Sequence, residues 1–383
     1  MAKKEKENNE SGKISIADMR NMINKKLGRE VAFDLEEENP TEVIGWIPTG
    51  SRWLDSIICR GKKAGIPIGK ISELAGAEAS GKSYMAAQIA ANAQKMGISV
   101  VYFDSESAID PEFLVKAGCE MDKLLYVQAD SVEFVLETIE DLLKTTSDRF
   151  LFIWDSMALT PSKTDIEGDF DPQSSMAVKP RILSKGLSKL IQPIANKQAT
   201  LLILNQLKTN LNVQNPKYAT DSEKYTTPGG KALAYAYSLR IWLTGRKAKD
   251  SFVIDERGYR IGSEVKARLE KSRFGTQGRE CLFRIMWAEQ VGILDEESMF
   301  EAVKPFITQK GAWYEITLPS GLKKFQQPSW VEMMKNDAEF QKAIYELMDQ
   351  EVIVKFDTRE GDSKNYYNIE ADLEVEPKKL LTD

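Results

Sequence analysis

The sequence predicts an α/β fold: a central, mostly parallel sheet with helices on both faces, a helical arm before it and a small α/β domain after it. Three observations carry that reading. From Thr41 onward apolar strands alternate with amphipathic helices, the order that builds parallel sheets covered on both sides. A glycine-rich stretch, Gly76-Ala77-Glu78-Ala79-Ser80-Gly81-Lys82-Ser83, lies between one such strand and one such helix. From Leu239 the pattern turns to strands with hairpin-like breaks, and beyond Val291 to a short mixture of helix and strand.

The elements follow in order. Residues 1–12 are charged and polar without periodicity and read as a disordered tail. Ile16, Met19, Ile23 and Leu27 recur at helical spacing and predict an amphipathic helix from Ile14 to Lys26, set apart by the acidic stretch Asp34 to Glu38 and Pro40. Such a helix packs either on its own core or on a neighbouring subunit. After a leading segment (Ile44, Ile47, Leu54) and the basic insert Arg60-Gly61-Lys62-Lys63, strands are expected at Ile71 to Ala75, Val100 to Asp104, Leu124 to Gln128, Phe150 to Asp155 and Thr200 to Asn205. Helices are expected between them at Ser83 to Met96, Pro111 to Ala117, Ser131 to Leu143 and Met176 to Asn196. Asp130 followed by Glu133 reads as a capping box for the third of these. Further strands at Leu239 to Leu243, Ser263 to Leu269 and Cys281 to Met286 lead to a last group: a helix at Asp295 to Val303, a strand at Trp313 to Ile316 and a helix at Val331 to Met348. The chain thus divides into 1–40, 41–290 and 291–383.

Composition narrows the chemistry. A chain of 383 residues, 42% hydrophobic and 29% charged, has room for one large domain and a smaller one. No apolar run approaches a membrane span, and the Lys-rich start lacks an apolar core, so a cytoplasmic location is expected. Cys59, Cys119 and Cys281 are scattered and odd in number, which argues for reduced core thiols. Histidine is absent, which removes Ser-His triads, histidine bases and most zinc sites. A net charge of −6 does not suggest bulk nucleic-acid binding, but it leaves room for a local basic groove.

The glycine-rich stretch has the spacing of a phosphate loop. Gly76 and Gly81 let the backbone curl so that successive N–H groups converge, and the following helix adds its positive dipole end. Lys82 would neutralise the β and γ phosphates of a nucleotide and Ser83 would ligate magnesium. The strand Phe150 to Asp155 ends in a carboxylate suited to hold magnesium through water. After the strand ending at Asp104, Glu106 could orient and deprotonate an attacking water, with a solvated glutamate as the plainer alternative. Asn205-Gln206 ends the fifth strand with neutral amides that could bond a γ-phosphate.

Two loops follow these strand ends, Glu167 to Ala177 and Leu207 to Gly230, the second long, polar and closed by Thr226-Thr227-Pro228-Gly229-Gly230. A loop of that length is usually functional or disordered. From Leu207 to Lys249 eight basic residues face two acidic ones, a focused positive charge of the kind that binds a phosphate backbone, or else a solvated basic face.

The residues then become recognisable. The run Gly76 to Ser83, Phe103-Asp104-Ser105-Glu106 through Asp110-Pro111, Trp154-Asp155-Ser156 through Pro161, Ile166-Glu167-Gly168, Asn205-Gln206 and Gly229-Gly230-Lys231-Ala232-Leu233 resemble the bacterial RecA recombinases in order and spacing. Gly311-Ala312-Trp313-Tyr314 extends the likeness, and the phage UvsX recombinases are similar. The resemblance implies a nucleotide-binding core of the RecA type, ATP and Mg2+ as cofactors, and a helical homo-oligomeric filament on single-stranded DNA. That filament pairs with a homologous duplex and exchanges strands during repair and the response to DNA damage, with loader or repressor proteins as further partners. It implies Glu106 as the water-activating base, Asp155 at the magnesium, Gln206 as the γ-phosphate sensor, Asp110 at the adenine amino group and Phe113 as the stacking ring where the family usually has tyrosine. Lys271 and Arg273 fall where the family places two lysines that reach the ATP of the next subunit. Met176 and Leu211 would wedge between base triplets, Arg181, Gly229 and Gly230 would touch the DNA backbone, and Lys208 belongs to the same basic loop. The N-terminal helix then reads as an arm on a neighbour. Ser188 stands where an arginine is common, and the stretch after Lys355 lacks a strongly acidic run. A ring-forming motor on the same core, a small-molecule kinase and a non-catalytic ATP-gated DNA scaffold are the competing readings.

Overall fold

The computed structural model describes residues 14–28, 30–34, 42–107, 109–168, 178–213, 218–245, 251–288 and 291–355. Helix α1 (Ile16–Leu27) is capped by the Ser15 hydroxyl, which accepts from the Asp18 N–H, and it ends at Gly28 in the left-handed region. No residue of α1 is buried, and its apolar stripe of Ile16, Met19, Ile23 and Leu27 faces outward. Helix α2 (Arg52–Ile58) precedes the first strand of the main sheet, β1 (Ile71–Gly76). Then come α3 (Lys82–Lys95), β2 (Ser99–Asp104), α4 (Pro111–Lys116), β3 (Leu124–Gln128), α5 (Val132–Thr145), β4 (Phe150–Asp155), α6 (Lys163–Glu167), α7 (Val178–Asn196) and β5 (Thr200–Gln206). A short helix α8 (Asp221–Lys224) and α9 (Gly230–Ala236) lead to β6 (Leu239–Gly245), β7 (Phe252–Ile254), β8 (Arg260–Ser272), β9 (Glu280–Met286) and β10 (Gly292–Ile293).

These ten strands form one sheet in the order β10-β9-β8-β6-β1-β5-β4-β2-β3, with β7 on the flank of β8. The six strands from β6 to β3 are parallel, and β7 to β10 are joined antiparallel. The inner parallel strands β1, β2, β4 and β5 are buried along nearly their whole length because both of their faces are covered, whereas β3, at the sheet edge, is largely exposed. Along β4, Leu151 and Ile153 enter one apolar cluster while Phe152 and Trp154 enter the other, the two-residue alternation of a pleated strand. In β5, Leu202 and Leu204 join the first cluster, Leu201 and Ile203 the second. Helix α3 supplies Met85 and Ile89 to the first face, and α5 and α7 supply Val135, Ile139, Leu183 and Leu187 to the second. The carboxyl ends of β1, β2, β4 and β5 therefore open side by side, at the edge where α/β sheets place ligands.

Three local expectations change. The cap of α5 is Ser131, whose hydroxyl accepts from the Phe134 N–H at 3.2 Å, while Glu133 accepts from the Lys163 N–H at 3.0 Å. The long polar loop after β5 is partly folded: Lys208–Thr209 pairs antiparallel with Tyr225–Thr226, and α8 lies between them. The helix expected from Val331 to Met348 is two helices, α11 (Trp330–Asn336) and α12 (Ala338–Leu347), which follow α10 (Asp295–Val303). Asp337, at φ −113° and ψ 97°, ends one helix, and its carboxylate caps the next by accepting from the Phe340 N–H at 3.0 Å. These helices and a three-stranded sheet (Thr308–Lys310, Trp313–Leu318, Gly321–Phe325) close on Phe300, Tyr314, Phe325, Trp330 and Phe340, whose rings meet at 5.1 to 5.7 Å. Those rings belong to the same apolar cluster as α2 and α3.

Candidate nucleotide site and adjoining loops

The loop Gly76 to Ser83 leaves β1 and enters α3 by two left-handed residues, Ala79 at φ 55° and Gly81 at φ 87°. At Gly81 a side chain would be strained twice over, by that φ and because its Cβ would lie 2.4 Å from Ile285 Cδ1. Gly81 directly precedes the first turn of α3, so the unpaired N–H groups of that turn face the loop interior. Lys82 Nζ donates to the carbonyls of Gly76 at 3.2 Å and Ala77 at 2.9 Å, which folds the ammonium over the loop. Burial lowers the Lys82 pKa, opposed by the charges of Asp155, Glu106 and Glu78. Ser80 Oγ is buried without a hydrogen-bond partner. An orphaned hydroxyl, a cation and a curled run of backbone are what a polyphosphate would satisfy, so these residues fit the nucleotide that the spacing predicts.

Next to the loop opens a cavity of about 400 Å³ lined by Ser83, Glu106, Asp110, Phe113, Asp155 and Trp287, among others. The Ser83 hydroxyl donates to Asp155 Oδ2 at 2.9 Å, and Tyr102 donates to the same oxygen at 2.8 Å. Burial raises the Asp155 pKa, and these two hydrogen bonds pull it back down. A hydroxyl beside a carboxylate suits magnesium, which keeps several waters and takes few protein ligands. Among the described residues no cluster of three or more metal-binding side chains occurs.

Glu106 sits just past the end of β2. Its backbone N–H, with that of Ser107, donates to Asp104 Oδ1 at 2.8 and 3.0 Å, which fixes the turn. Glu106 Oε1 accepts from the Ser156 hydroxyl at 2.9 Å, so the carboxylate is held at the mouth of β4 next to Asp155. Asp110 caps α4 by accepting from the Glu112 N–H, and the Phe113 ring packs edge-on against Tyr84 at 4.3 Å. At the end of β5, between β1 and β4, Gln206 stands in register with Gly76, and its N–H donates to Asn205 Oδ1. The structure thus gathers Gly76, Ala77, Glu78, Ala79, Ser80, Gly81, Lys82, Ser83, Glu106, Asp110, Phe113, Asp155 and Gln206 around one edge of the sheet.

The chain matches the family model described as the RecA N-terminal domain over residues 14–292. This protein belongs to the RecA family. It is 31% identical over 300 residues to Protein RecA of Fusobacterium nucleatum, covering 78% of this chain and 75% of that one. With Protein RecA of Mannheimia haemolytica it shares 32% identity over 291 residues, 76% of this chain and 72% of the relative. The mitochondrial DNA repair protein recA homolog of Dictyostelium discoideum is 28% identical over 311 residues, 79% of this chain and 64% of that protein.

The remaining candidates of this RecA-family chain lie apart from the cavity. Lys271 Nζ donates to the Ala234 carbonyl at 2.6 Å, and an Arg273 Nη donates to the Tyr235 carbonyl at 2.7 Å. Both cations cover the C-terminal end of α9, where they complement its dipole. Partial burial and the charges of Arg273 and Arg240 lower the Lys271 pKa to about 8. Arg181 and Lys208 are exposed, and Leu211 is 91% exposed, an apolar side chain held out from the loop. Gly229 (φ 106°) and Gly230 (φ 80°) turn the loop into α9. Met176 lies outside the described residues.

Residue-by-residue reading missed Tyr102, Ser156 and Trp287. Ser156 adjoins Asp155, and Tyr102 lies two residues before Asp104 on the same face of its strand, so position along β2 and β4 could have found both. Trp287 follows β9 and reaches the cavity only through the fold. No helix among the described residues is long and apolar enough to cross a membrane.

Proposed function

We propose that this chain is an ATP-driven recombinase: it assembles as a helical filament on single-stranded DNA, pairs that strand with a homologous duplex and exchanges strands, hydrolysing ATP to ADP and phosphate as DNA binds. The observation that carries the reading is the common edge of the sheet. The cavity lined by Ser83, Asp155 and Glu106, the adjoining phosphate loop with Lys82, and both ends of the 207–230 loop meet there, and the Gly76 carbonyl accepts at once from Lys82 Nζ and from the Leu207 N–H.

In this reading the loop N–H groups and Lys82 bind the β and γ phosphates, and Ser83 and Asp155 hold magnesium. Magnesium, when bound, spreads the charge of the triphosphate in the transition state. Glu106, oriented by Ser156, takes a proton from the water that attacks the γ-phosphorus. Asp110, Phe113, Tyr84 and Trp287 receive the base. Gln206 senses the γ-phosphate and conveys its presence to the following loop. Arg181, Lys208, Leu211, Gly229, Gly230 and Met176 contact DNA, while Lys271 and Arg273 leave the carbonyls of α9 to reach the ATP of a neighbouring subunit. Segment 1–40, with the exposed stripe of α1, is the oligomerisation arm, 41–290 the ATPase core and 291–383 the small C-terminal domain.

Steady-state ATP hydrolysis with and without single-stranded DNA, followed by electron microscopy with a non-hydrolysable analogue, tests the proposal. Stimulation together with extended filaments is expected. Equal turnover in both conditions, closed rings, or a phosphorylated small acceptor would overturn it.

A further inference from the structure

Glu73 is an odd residue for its place. It lies in the middle of β1, the strand that leads into the phosphate loop, and is 1% exposed among apolar neighbours. Both of its oxygens are taken. Arg240, its register partner on β6, donates from Nε to Oε2 at 2.6 Å, and Asn205 Nδ2 on β5 donates to Oε1 at 2.9 Å. Three adjacent strands are thus joined by one buried carboxylate.

The partners reach further. Asn205 Nδ2 also donates to the Pro228 carbonyl at 3.2 Å, and Arg240 donates from an Nη to the Thr227 hydroxyl at 2.9 Å. Thr227 and Pro228 are the last two residues before the Gly229-Gly230 turn that ends the 207–230 loop. The start of that loop is tied to the same strand, since the Leu207 N–H donates to the Gly76 carbonyl at 3.0 Å. Between these anchors Ala75, Leu207 and Trp242 form a separate small apolar cluster with Tyr225 against it. Both ends of the loop are therefore tied to β1 where it enters the phosphate loop, the near end directly at Gly76 and the far end at Glu73 through Arg240 and Asn205.

A buried ion pair is weak as a stabilising device, because apolar residues of similar volume often do as well, and its best-attested use is to fix register or to switch between arrangements. Here the partners are the root of the nucleotide loop and the far end of the candidate DNA loop. We propose that Glu73, Arg240, Asn205 and Thr227 are a positioning network that couples nucleotide state to DNA affinity, setting where the 207–230 loop emerges relative to Gly76–Ser83. The inference rests on the recombinase reading above. It adds to the sensing role of Gln206 a fixed clamp at the opposite end of the loop, whose members touch neither ligand.

The test uses the full chain and a fluorescent oligothymidine. Its affinity is measured with magnesium and a non-hydrolysable ATP analogue, then with magnesium and ADP, and the ratio of the two is the coupling. Thr227→Val removes one hydroxyl from the loop and leaves the Glu73–Arg240 pair in place, and Thr227→Ser restores the hydroxyl. Glu73→Gln attacks the centre of the network, and Thr227→Val keeps the proposal testable should that variant not fold. Thr227→Val is expected to cut the ratio at least about fivefold, the lower end of usual couplings between sites, with nucleotide affinity in the absence of DNA unchanged. Thr227→Ser is expected to regain the wild-type ratio. The proposal is overturned if Thr227→Val keeps the wild-type ratio, if it loses DNA affinity equally with both nucleotides, or if the serine variant behaves like the valine one. A wild-type ratio of one would instead overturn the recombinase reading itself, which separates the two failures.

Discussion

Asp55→Asn should flatten the pH dependence of stability. Asp55 lies in α2, buried beneath the C-terminal helices, and burial pushes its pKa from 3.8 to about 7, with the nearby Asp295 charge adding to the rise. The Thr49 N–H and hydroxyl both donate to Asp55 Oδ1, at 3.1 and 2.8 Å, and work in the opposite direction. Because the folded state holds this proton more tightly than the unfolded chain, the contribution to stability is present at low pH and is lost as pH rises through about 7. About two pKa units of that loss fall between pH 5 and 8, which at 1.36 kcal/mol per unit is about 3 kcal/mol. An unfolding entropy of about 2.1 cal/mol/K per residue over 383 residues makes this a shift of about 3 to 4 °C. The asparagine keeps an oxygen for Thr49 and cannot ionise. Thermal melts of both proteins at pH 5 and pH 8 supply the readout, and their difference of differences cancels the titrations that the two share. The variant should gain on the wild type by about that amount at pH 8 relative to pH 5. Parallel pH profiles would refute the argument that a buried, ionising Asp55 weakens the fold.

Three other outcomes follow from the site. Lys82→Ala removes a charged donor, so nucleotide affinity measured by equilibrium binding should fall by about 10- to 100-fold, and wild-type affinity would remove Lys82 from phosphate binding. Glu106→Gln keeps an oxygen to accept from Ser156 but cannot take a proton. Hydrolysis should fall by about 10²- to 10⁴-fold while analogue binding stays intact, and undiminished turnover would exclude Glu106 as the base. Affinity for single-stranded DNA should drop with salt, and Lys208→Ala should make the log-log slope shallower by about 0.7; an unchanged slope would place Lys208 away from the DNA backbone.

How much was legible in the sequence depended on whether the deciding contacts were local. Strand β4 was read to the residue, because a run buried on both faces looks the same from sequence and from space. That Lys82, Ser83, Asp155 and Glu106 come together was legible for a related reason: Asp155 ends β4, Glu106 follows β2, Lys82 and Ser83 open the helix that the loop after β1 enters, and parallel strands bring such ends together. Pairing of Lys208–Thr209 with Tyr225–Thr226 was invisible, since two-residue strands separated by a polar loop have no periodicity to detect. The break at Asp337 was hidden within a long apolar pattern, where one acidic residue reads as an exposed position rather than as a cap. Lys271 and Arg273 were placed by resemblance, and the carbonyls of α9 that hold them in the isolated protomer carry no mark in the sequence.

Glu73 carries no local mark of what surrounds it. In Lys70-Ile71-Ser72-Glu73-Leu74-Ala75 it shares a face with Ile71 and Ala75, and nothing nearby in sequence says what receives its charge. Every residue of β1 is buried, so no solvent face exists for it to occupy. A carboxylate in such a strand needs partners, and the chain supplies them from two other strands more than a hundred residues away in sequence. Local pattern cannot distinguish a solvated glutamate from one that organises three strands, because the distinction lies wholly in distant residues. The silence of the local pattern and the proposed coupling network therefore have one cause: the charge is kept in the sheet by the contacts that join the nucleotide edge to the loop beyond it.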